Sequence, residues 1–495
     1  MVKEPKIIHA PFRISDNIYF VGNYDTSSHL IVTEKGLILL DTVFPEHLDD
    51  TLNAMKELGY QPSDLCMILI SHAHSDHFGS VNELRKLCKA PVYISEIDAP
   101  YTEHLKEGSR HMEMKADRTF RDGDILKVGS TEITCISTPG HTVGTFSFFF
   151  NTTLNGKPYR AGMFGGIGNN TINAGFFNRT ATSYFTRRIF LESIEKLRGQ
   201  QVDIVLGNHC WNNSTYEKSL RVADGESDAF LDPTEWNRLL DKLIARQQKK
   251  AEKDAREFFL NFAHRGASEL CPENTLLSFA TGVFLGANAV ETDVRMTKDG
   301  VLVLHHDKTP VRLGGVDTPI AEMTYEELSG VRITANGYTD KIPTVEEFLQ
   351  LMAHRDLFFA IEIKQDGVAE KLLSLLKKYG LEKKSRITAF KLPYLQQIHA
   401  LEPAWPLGYL TDDLSDETLR TLTENGIDEI CPEASVLDEA QLRRLRDAGF
   451  HVRAWGVKDR DTMKRLYDLG VDGMTVNFPD ALEAYRKECA EAEAI

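Results

Sequence analysis

Residues 66–80 read CMILISHAHSDHFGS. The apolar run at 66–70 has the composition of a buried strand. It runs directly into His72, His74, Asp76 and His77, three histidines and an aspartate within six positions. Four such polar groups cannot be packed together in a core without partners. Neutral imidazole and carboxylate oxygen are both good zinc ligands. His72 and His74, two apart, point the same way in extended chain. Asp76 and His77 lie in the turn that follows and can aim elsewhere. Four ligands so arranged suit two neighbouring metal ions better than one. The bland alternative, a surface histidine cluster, fits this density of ligand types poorly.

The bulk sequence sets bounds on the rest. A chain of 495 residues is too long for one ordinary core, so two or three domains are expected. Hydrophobic residues make up 42% and charged residues 26%, as in a water-soluble globular protein. No run of about twenty apolar residues occurs, so no membrane span is expected. The opening MVKEPKIIHAPFRISDN lacks the apolar region of a secretory signal. Seven cysteines without CxxC spacing suit free thiols in a reducing compartment, and a cytoplasmic location is expected. The net charge of −16 disfavours nucleic acid as a partner. Small-molecule substrates remain, anionic ones included, because bound metal ions can reverse the local field.

Two rhythms divide the chain. Residues 1–231 hold short β-branched and aromatic runs with helical patterns between them, and form the first expected domain. Residues 232–257, charged and helically spaced with Pro233 near the start, read as a closing or linking helix, and most simply as a solvated surface helix. From 258 to 495 helix, glycine and strand recur, with Gly426, Gly449 and Gly470 where helix C-cap glycines belong. Eight strand candidates follow: LNFAHR, AVETDV, FFAIEI, RITAF, PLGYL, EICPE, HVRAW and GMTVN. Strands alternating with helices imply βα units, and eight of them suggest a (β/α)8 barrel. The periodicity alone leaves an open doubly wound sheet as the alternative.

The first cluster needs further ligands from other strand ends. CISTPGHTVG supplies His141 and DIVLGNHCWNN supplies His209. With LLDTV at 39–43, HAHSDH, TPGH and GNH, residues from about 10 to 255 resemble the metallo-β-lactamase fold, an αββα sandwich with a dinuclear zinc site. The resemblance implies that His72, His74 and His141 hold one Zn2+ and Asp76, His77 and His209 the other. Asp76 is expected to serve catalysis as well, and Asp41 to orient ligands through hydrogen bonds. AGMFGGIGNN at 161–170 lacks the acidic residue that bridges the metals in most hydrolases of this fold. That departure resembles the β-lactamase subclass whose second zinc has Asp, His and His ligands. Zinc lowers the pKa of bound water and polarises a carbonyl or phosphoryl group, which suffices to hydrolyse an amide or ester. Lactam, lactone, thioester and phosphodiester substrates all stay open.

The second half carries its own chemistry. NFAHRGASELCPENT places His264 and Arg265 at the end of a strand, with Glu273 and Asn274 in the loop beyond. In AVETDVRMTKDGVLVLHHD, Glu291 and Asp293 are two apart and face one side, where they repel unless a cation neutralises them. Oxygen ligands suit Ca2+ or Mg2+. Asp299-Gly300 reads as a two-residue hairpin, which puts His306 opposite Asp293 and turns His305 away. LFFAIEIKQD adds Glu362 and Lys364.

HRG, PENT, ETDV, HHD and EIK, in that order, resemble the glycerophosphodiester phosphodiesterases over about 258–485. The resemblance implies Glu291, Asp293 and Glu362 as ligands of one divalent cation, and His264 with His306 as the general acid–base pair. Arg265 and Lys364 would offset charge in the transition state. Glu273 and Asn274 are expected beside the substrate, as is Trp455 of VRAWGVKD, which could equally be a core aromatic. Lys458 stands where the family usually has Asn, and Asn477 where it has an acid. The expected protein is a bifunctional hydrolase. The alternatives make the N-terminal half a non-catalytic metal- or partner-binding module, a phosphodiesterase or a lactonase.

Overall fold

The protein is described by a computed structural model covering residues 7–103 and 113–493. It divides into two compact units, Met1–Ile172 with Ile189–Gln248, and Asn173–Arg188 with Lys249–Ile495. The division differs from the expected boundaries in two places. The segment Asn173–Arg188 groups with the second unit, and the helix Glu235–Glu257 is cut at residue 248 rather than standing apart as a linker. No helix among the described residues is long and apolar enough to cross a membrane.

The first unit holds two sheets. Seven strands run in chain order from Phe12–Arg13 to Arg118–Phe120, the last four parallel. Five more pair in the order Ile204–Leu206, Lys157–Met163, Phe146–Leu154, Thr131–Ser137 and Ile125–Val128. Strand alternation sorts their side chains. Ile38, Leu40, Met67 and Leu69 pack inward against Cys135, Phe146, Phe148 and Phe150. Leu37, Leu39, Ile68 and Ile70 face outward and are covered by Leu48 and Met55 of one helix and Val81 and Leu84 of another. On the outer face of the second sheet Phe149 meets Trp236 edge-on at 5.5 Å. Helices therefore cover both outer faces, the αββα arrangement.

The second unit is a barrel. Its parallel strands are Leu260–His264, Ala289–Met296, Phe358–Ile363, Ser385–Ala389, Leu407–Thr411, Glu429–Pro432, His451–Val457 and Gly473–Val476, each of the sequence-predicted eight. Leu260–His264 pairs with both Ala289–Met296 and Gly473–Val476, so the sheet closes. Closure, which sequence periodicity cannot express, is what excludes the open sheet. Gly426, Gly449 and Gly470 follow their helices with positive φ of 67°, 86° and 95°, conformations that only glycine adopts freely. A charged cluster lies buried within: Arg453 Nε is 3.1 Å from Glu429 Oε1, and His451 Nδ1 is 2.8 Å from Glu429 Oε2. Burial opposes the charge on Glu429, but Arg453 and Arg386 outweigh it and hold the carboxyl well below its usual range.

The hairpin after Ala289–Met296 departs from expectation. Met296 pairs with Leu302 and Val294 with Leu304, so the position opposite Asp293 belongs to His305 and not His306. The turn spans three residues, 298–300, with Gly300 at φ +82° and its N–H on the Thr297 carbonyl. A glycine in the left-handed region makes the longer turn accessible and shifts the register by one.

Candidate active sites

The first unit brings its six expected ligands together beyond the ends of strands from both sheets. His72 and His74 follow the strand Leu65–Leu69, Asp76 and His77 lie in the short helix Ser75–Phe78, and His141 and His209 follow Thr131–Ser137 and Ile204–Leu206. Two trios form, His72–His74–His141 and Asp76–His77–His209, each with donor atoms within 4.8 Å of one another. His74 Nδ1 is 3.2 Å from His72 Nε2 and 2.9 Å from His141 Nε2. Asp76 Oδ2 is 3.2 Å from His77 Nε2 and 3.6 Å from His209 Nε2. The rings of His72 and His77, 4.2 Å apart, place the trios side by side.

The second nitrogens of His72, His77, His141 and His209 are occupied elsewhere, and that decides which of their atoms face inward. His77 Nδ1 bonds Asp41 Oδ2 at 3.0 Å, His141 Nδ1 bonds the Gly168 carbonyl at 3.1 Å, and His209 Nδ1 bonds the Asp25 carbonyl. Asp41 also accepts from the Ser71 N–H and hydroxyl, each at 2.7 Å, and that hydroxyl lies 2.9 Å from His72 Nδ1. One buried carboxylate thus orients a ring in each trio. Burial and the neighbouring imidazoles push His72 and His141 well below the ordinary histidine value. Burial works against charge on His77 too, but Asp76 and Asp41 outweigh it and raise it to about 10. Asp41, buried, and Asp76, partly exposed, therefore draw a positive charge into the cluster, which suits a cation held by imidazoles.

The glycine-rich stretch lies flat against His141. A Cβ on Gly166 would lie 2.7 Å from His141 Cδ2, and one on Gly168 2.8 Å from His141 Cε1. The backbone packs flush on the ligand ring and leaves no room for a side chain. Sequence reading missed Ser71, Gly168 and the helix residues Arg246 and Gln247 that hold this loop. Arg246 bonds the Ile167 carbonyl, and Gln247 bonds Asn169. The helix is therefore not merely a solvated face.

In the barrel, Glu291, Asp293 and Glu362 lie buried with oxygens within 4.8 Å of one another. Arg265 Nε is 3.1 Å from Asp293 Oδ2, and Lys364 Nζ is 2.6 Å from Glu362 Oε1 and 3.3 Å from Asp293 Oδ1. Asn274 donates to Asp293 Oδ2 at 2.8 Å. Burial, then Asp293, pushes Glu291 and Glu362 upward. Asp293 itself is held low, burial notwithstanding, by Arg265 and Lys364. Three acids sharing two cationic side chains remain short of positive charge, and hard oxygen donors fit a divalent cation.

His264 Nδ1 lies 2.6 Å from Asn477 Oδ1, and its Nε2 lies 3.9 Å from Glu291. Burial, then Arg265, draws His264 down to about 4. His306 Nδ1 lies 2.8 Å from Asp307, and burial, opposed by Asp293, draws it below the ordinary histidine value. Glu273 bonds Arg265 and Arg312, and Arg312 bonds Asp307 in turn. Sequence reading missed Arg312, five residues beyond Asp307, because nothing in its own neighbourhood marks it. Trp455 meets Phe390 edge-on at 4.9 Å, and Lys364 Nζ sits 5.6 Å from the centre of the Phe390 ring. The indole therefore reaches the site through a second aromatic that the motifs did not reveal.

Comparison with known proteins agrees with this division. Residues 264–481 match the glycerophosphoryl diester phosphodiesterase family model, and residues 21–154 match that of the metallo-beta-lactamase superfamily. The glycerophosphodiester phosphodiesterase of Bacillus altitudinis is 31% identical over 240 residues, 46% of this chain and 98% of that protein. The uncharacterized protein YqiK of Bacillus subtilis (strain 168) is 32% identical over 238 residues, with the same shares covered. Native FEZ-1 metallo-beta-lactamase from Legionella gormanii aligns with 28% identity and a TM-score of 0.46 over 50% of this chain and 97% of that one. With its eight-stranded barrel and that barrel's motifs, the chain belongs to the glycerophosphoryl diester phosphodiesterase family, and it is a hydrolase that carries a metallo-beta-lactamase superfamily domain in the same polypeptide.

Proposed function

We propose that the protein is a bifunctional metal-dependent hydrolase. The barrel hydrolyses glycerophosphodiesters to glycerol phosphate and an alcohol with one divalent cation, Ca2+ or Mg2+, held by Glu291, Asp293 and Glu362. The N-terminal domain holds two Zn2+ and hydrolyses an amide or ester bond, with β-lactams among the candidates. The observation that carries the reading is the convergence of two separate donor sets, nitrogen-rich in one unit and all-carboxylate in the other. A small-molecule substrate in the cytoplasm, rather than nucleic acid, suits the charge of −16.

In the barrel, the cation supplies a Lewis acid for the phosphoryl oxygens. Arg265 and Lys364 bind and orient the diester. His264, neutral at physiological pH, would take at Nε2 the proton of the substrate's own glycerol hydroxyl as that oxygen bonds phosphorus and the alcohol oxygen departs, and water would then open the cyclic phosphate to glycerol phosphate; Asn477 accepts from the Nδ1–H of His264. His306, oriented by Asp307, delivers a proton to the departing alcohol. In the N-terminal site zinc supplies a Lewis acid for the scissile carbonyl and an activated water. Asp41 and the Gly168 carbonyl keep the imidazoles aimed, and Asp76 stands where it can hold a proton during bond cleavage.

The test uses the full chain, metal analysis on every sample, and a panel of glycerophosphodiesters, lactams, lactones and thioesters. His264→Ala should abolish diester hydrolysis and spare zinc-dependent hydrolysis, and Asp76→Ala the reverse. One substitution that removes both activities would refute independent sites. A zinc-loaded protein that cleaves none of the panel in its N-terminal domain would make that domain a binding module.

A further inference from the structure

His209, which closes the second trio, lies parallel to the indole of Trp211, with ring centroids 4.6 Å apart and planes within 8°. Trp211 is nonetheless 53% exposed. One indole face covers the candidate ligand and the rest meets solvent. Tyr24 lies 6.1 Å from Trp211 and in turn 6.1 Å from Tyr216, which extends the aromatic cluster around the indole. At the His141 end, Val143 is 54% exposed two residues beyond the ligand. Ile97, 45% exposed, adjoins Asp98, whose carboxylate accepts from the Ala73 N–H, the Thr142 hydroxyl and the Gly144 N–H at 2.7–2.9 Å. Exposed apolar groups thus stand at both ends of a polar centre.

Exposed apolar surface rimmed by polar groups marks a binding site, and an indole offers a large, rigid contact at low entropic cost. Orienting His209 does not account for it. The Asp25 carbonyl already holds His209 Nδ1, and stacking uses one face only. We propose that Trp211 is the floor of a substrate subsite for an apolar chain or ring, so that the amide or ester cleaved in the N-terminal domain carries an apolar acyl or aryl group on the His209 side. This rests on the zinc-hydrolase reading above and narrows its substrate class.

The experiment is calorimetric binding of n-alkyl hydroxamates of two to eight carbons to the zinc-loaded full chain, in wild type, Trp211→Phe and Trp211→Ala. Zinc content is measured on the same samples. Wild-type affinity should rise about three- to fourfold per methylene, as burial of each CH2 group predicts. Trp211→Ala should flatten that slope and Trp211→Phe retain most of it. An unchanged slope in Trp211→Ala overturns the subsite. So does a uniform loss at every chain length, which would assign the indole to positioning His209. A steep slope without hydrolysis of any panel substrate would uphold the subsite and sink the catalytic reading. A protein that takes up no zinc would overturn both.

Discussion

Gln247 donates a hydrogen bond from Nε2 to Asn169 Oδ1 at 2.8 Å. Its neighbour Arg246 bonds the Ile167 carbonyl, and between those two anchors sits Gly168, whose carbonyl accepts from His141 Nδ1. A helix with the sequence of a charged connector therefore determines where one metal-site imidazole points. Gln247→Leu should weaken zinc binding in the N-terminal site about tenfold, the lower range for groups that orient a ligand. Competition against a chromogenic chelator measures it, and wild-type affinity would show that the loop holds itself. Gly168→Ala should do more harm, because its Cβ would press on the His141 ring.

Asp41 reaches both trios, directly to His77 and through Ser71 toward His72. It has a φ of +58°, which Asn tolerates. Asp41→Asn should therefore fold, yet lose about 10- to 100-fold in zinc affinity because the negative charge behind His77 is gone. Zinc stoichiometry and circular dichroism on one sample separate the two effects. Unfolding of the variant would count against a purely orienting role.

A divalent cation held by the barrel acids should bind more tightly as pH rises. Burial and Asp293 raise Glu291 and Glu362, so both hold protons closer to neutrality than free carboxyls do. A cation must displace those protons, and affinity should climb as pH rises from about 6 to 8.5, by about tenfold per pH unit for each proton displaced. Titration calorimetry with Ca2+ and Mg2+ in buffers of different ionisation enthalpy reads both affinity and proton release. A flat profile would mean that Arg265 and Lys364 already keep all three carboxyls ionised.

Glu429 anchors two arginines and a histidine inside the barrel. Glu429→Gln leaves the buried Arg453 without its ion-pair partner and should destabilise the barrel by about 3–5 kcal/mol. Urea unfolding followed by far-UV circular dichroism tests it, and a change below about 1 kcal/mol would mean that water already screens the cluster.

Much of this protein was legible in one dimension. HAHSDH, the strand-end His141 and His209, the ETDV acids and the repeated helix–glycine–strand rhythm are short-range patterns, because alternation, capping and metal geometry act over a few residues. The hairpin register was not legible. Asp299-Gly300 permits both a two- and a three-residue turn, and only the packed strands choose, placing His305 rather than His306 opposite Asp293. Barrel closure was likewise undecided until Leu260–His264 found Gly473–Val476 more than two hundred positions away.

The sequence by itself determined the candidate donor types, their order and the two-part plan, since these follow from residue chemistry and local spacing. Only the tertiary structure decided which nitrogen of each imidazole faces inward, that Gln247, Arg246 and Arg312 support the sites, and that Trp211 lies flat on His209 with a face left open. Those choices depend on contacts between residues far apart in the chain, and long-range packing leaves no periodic trace in the residues that make it.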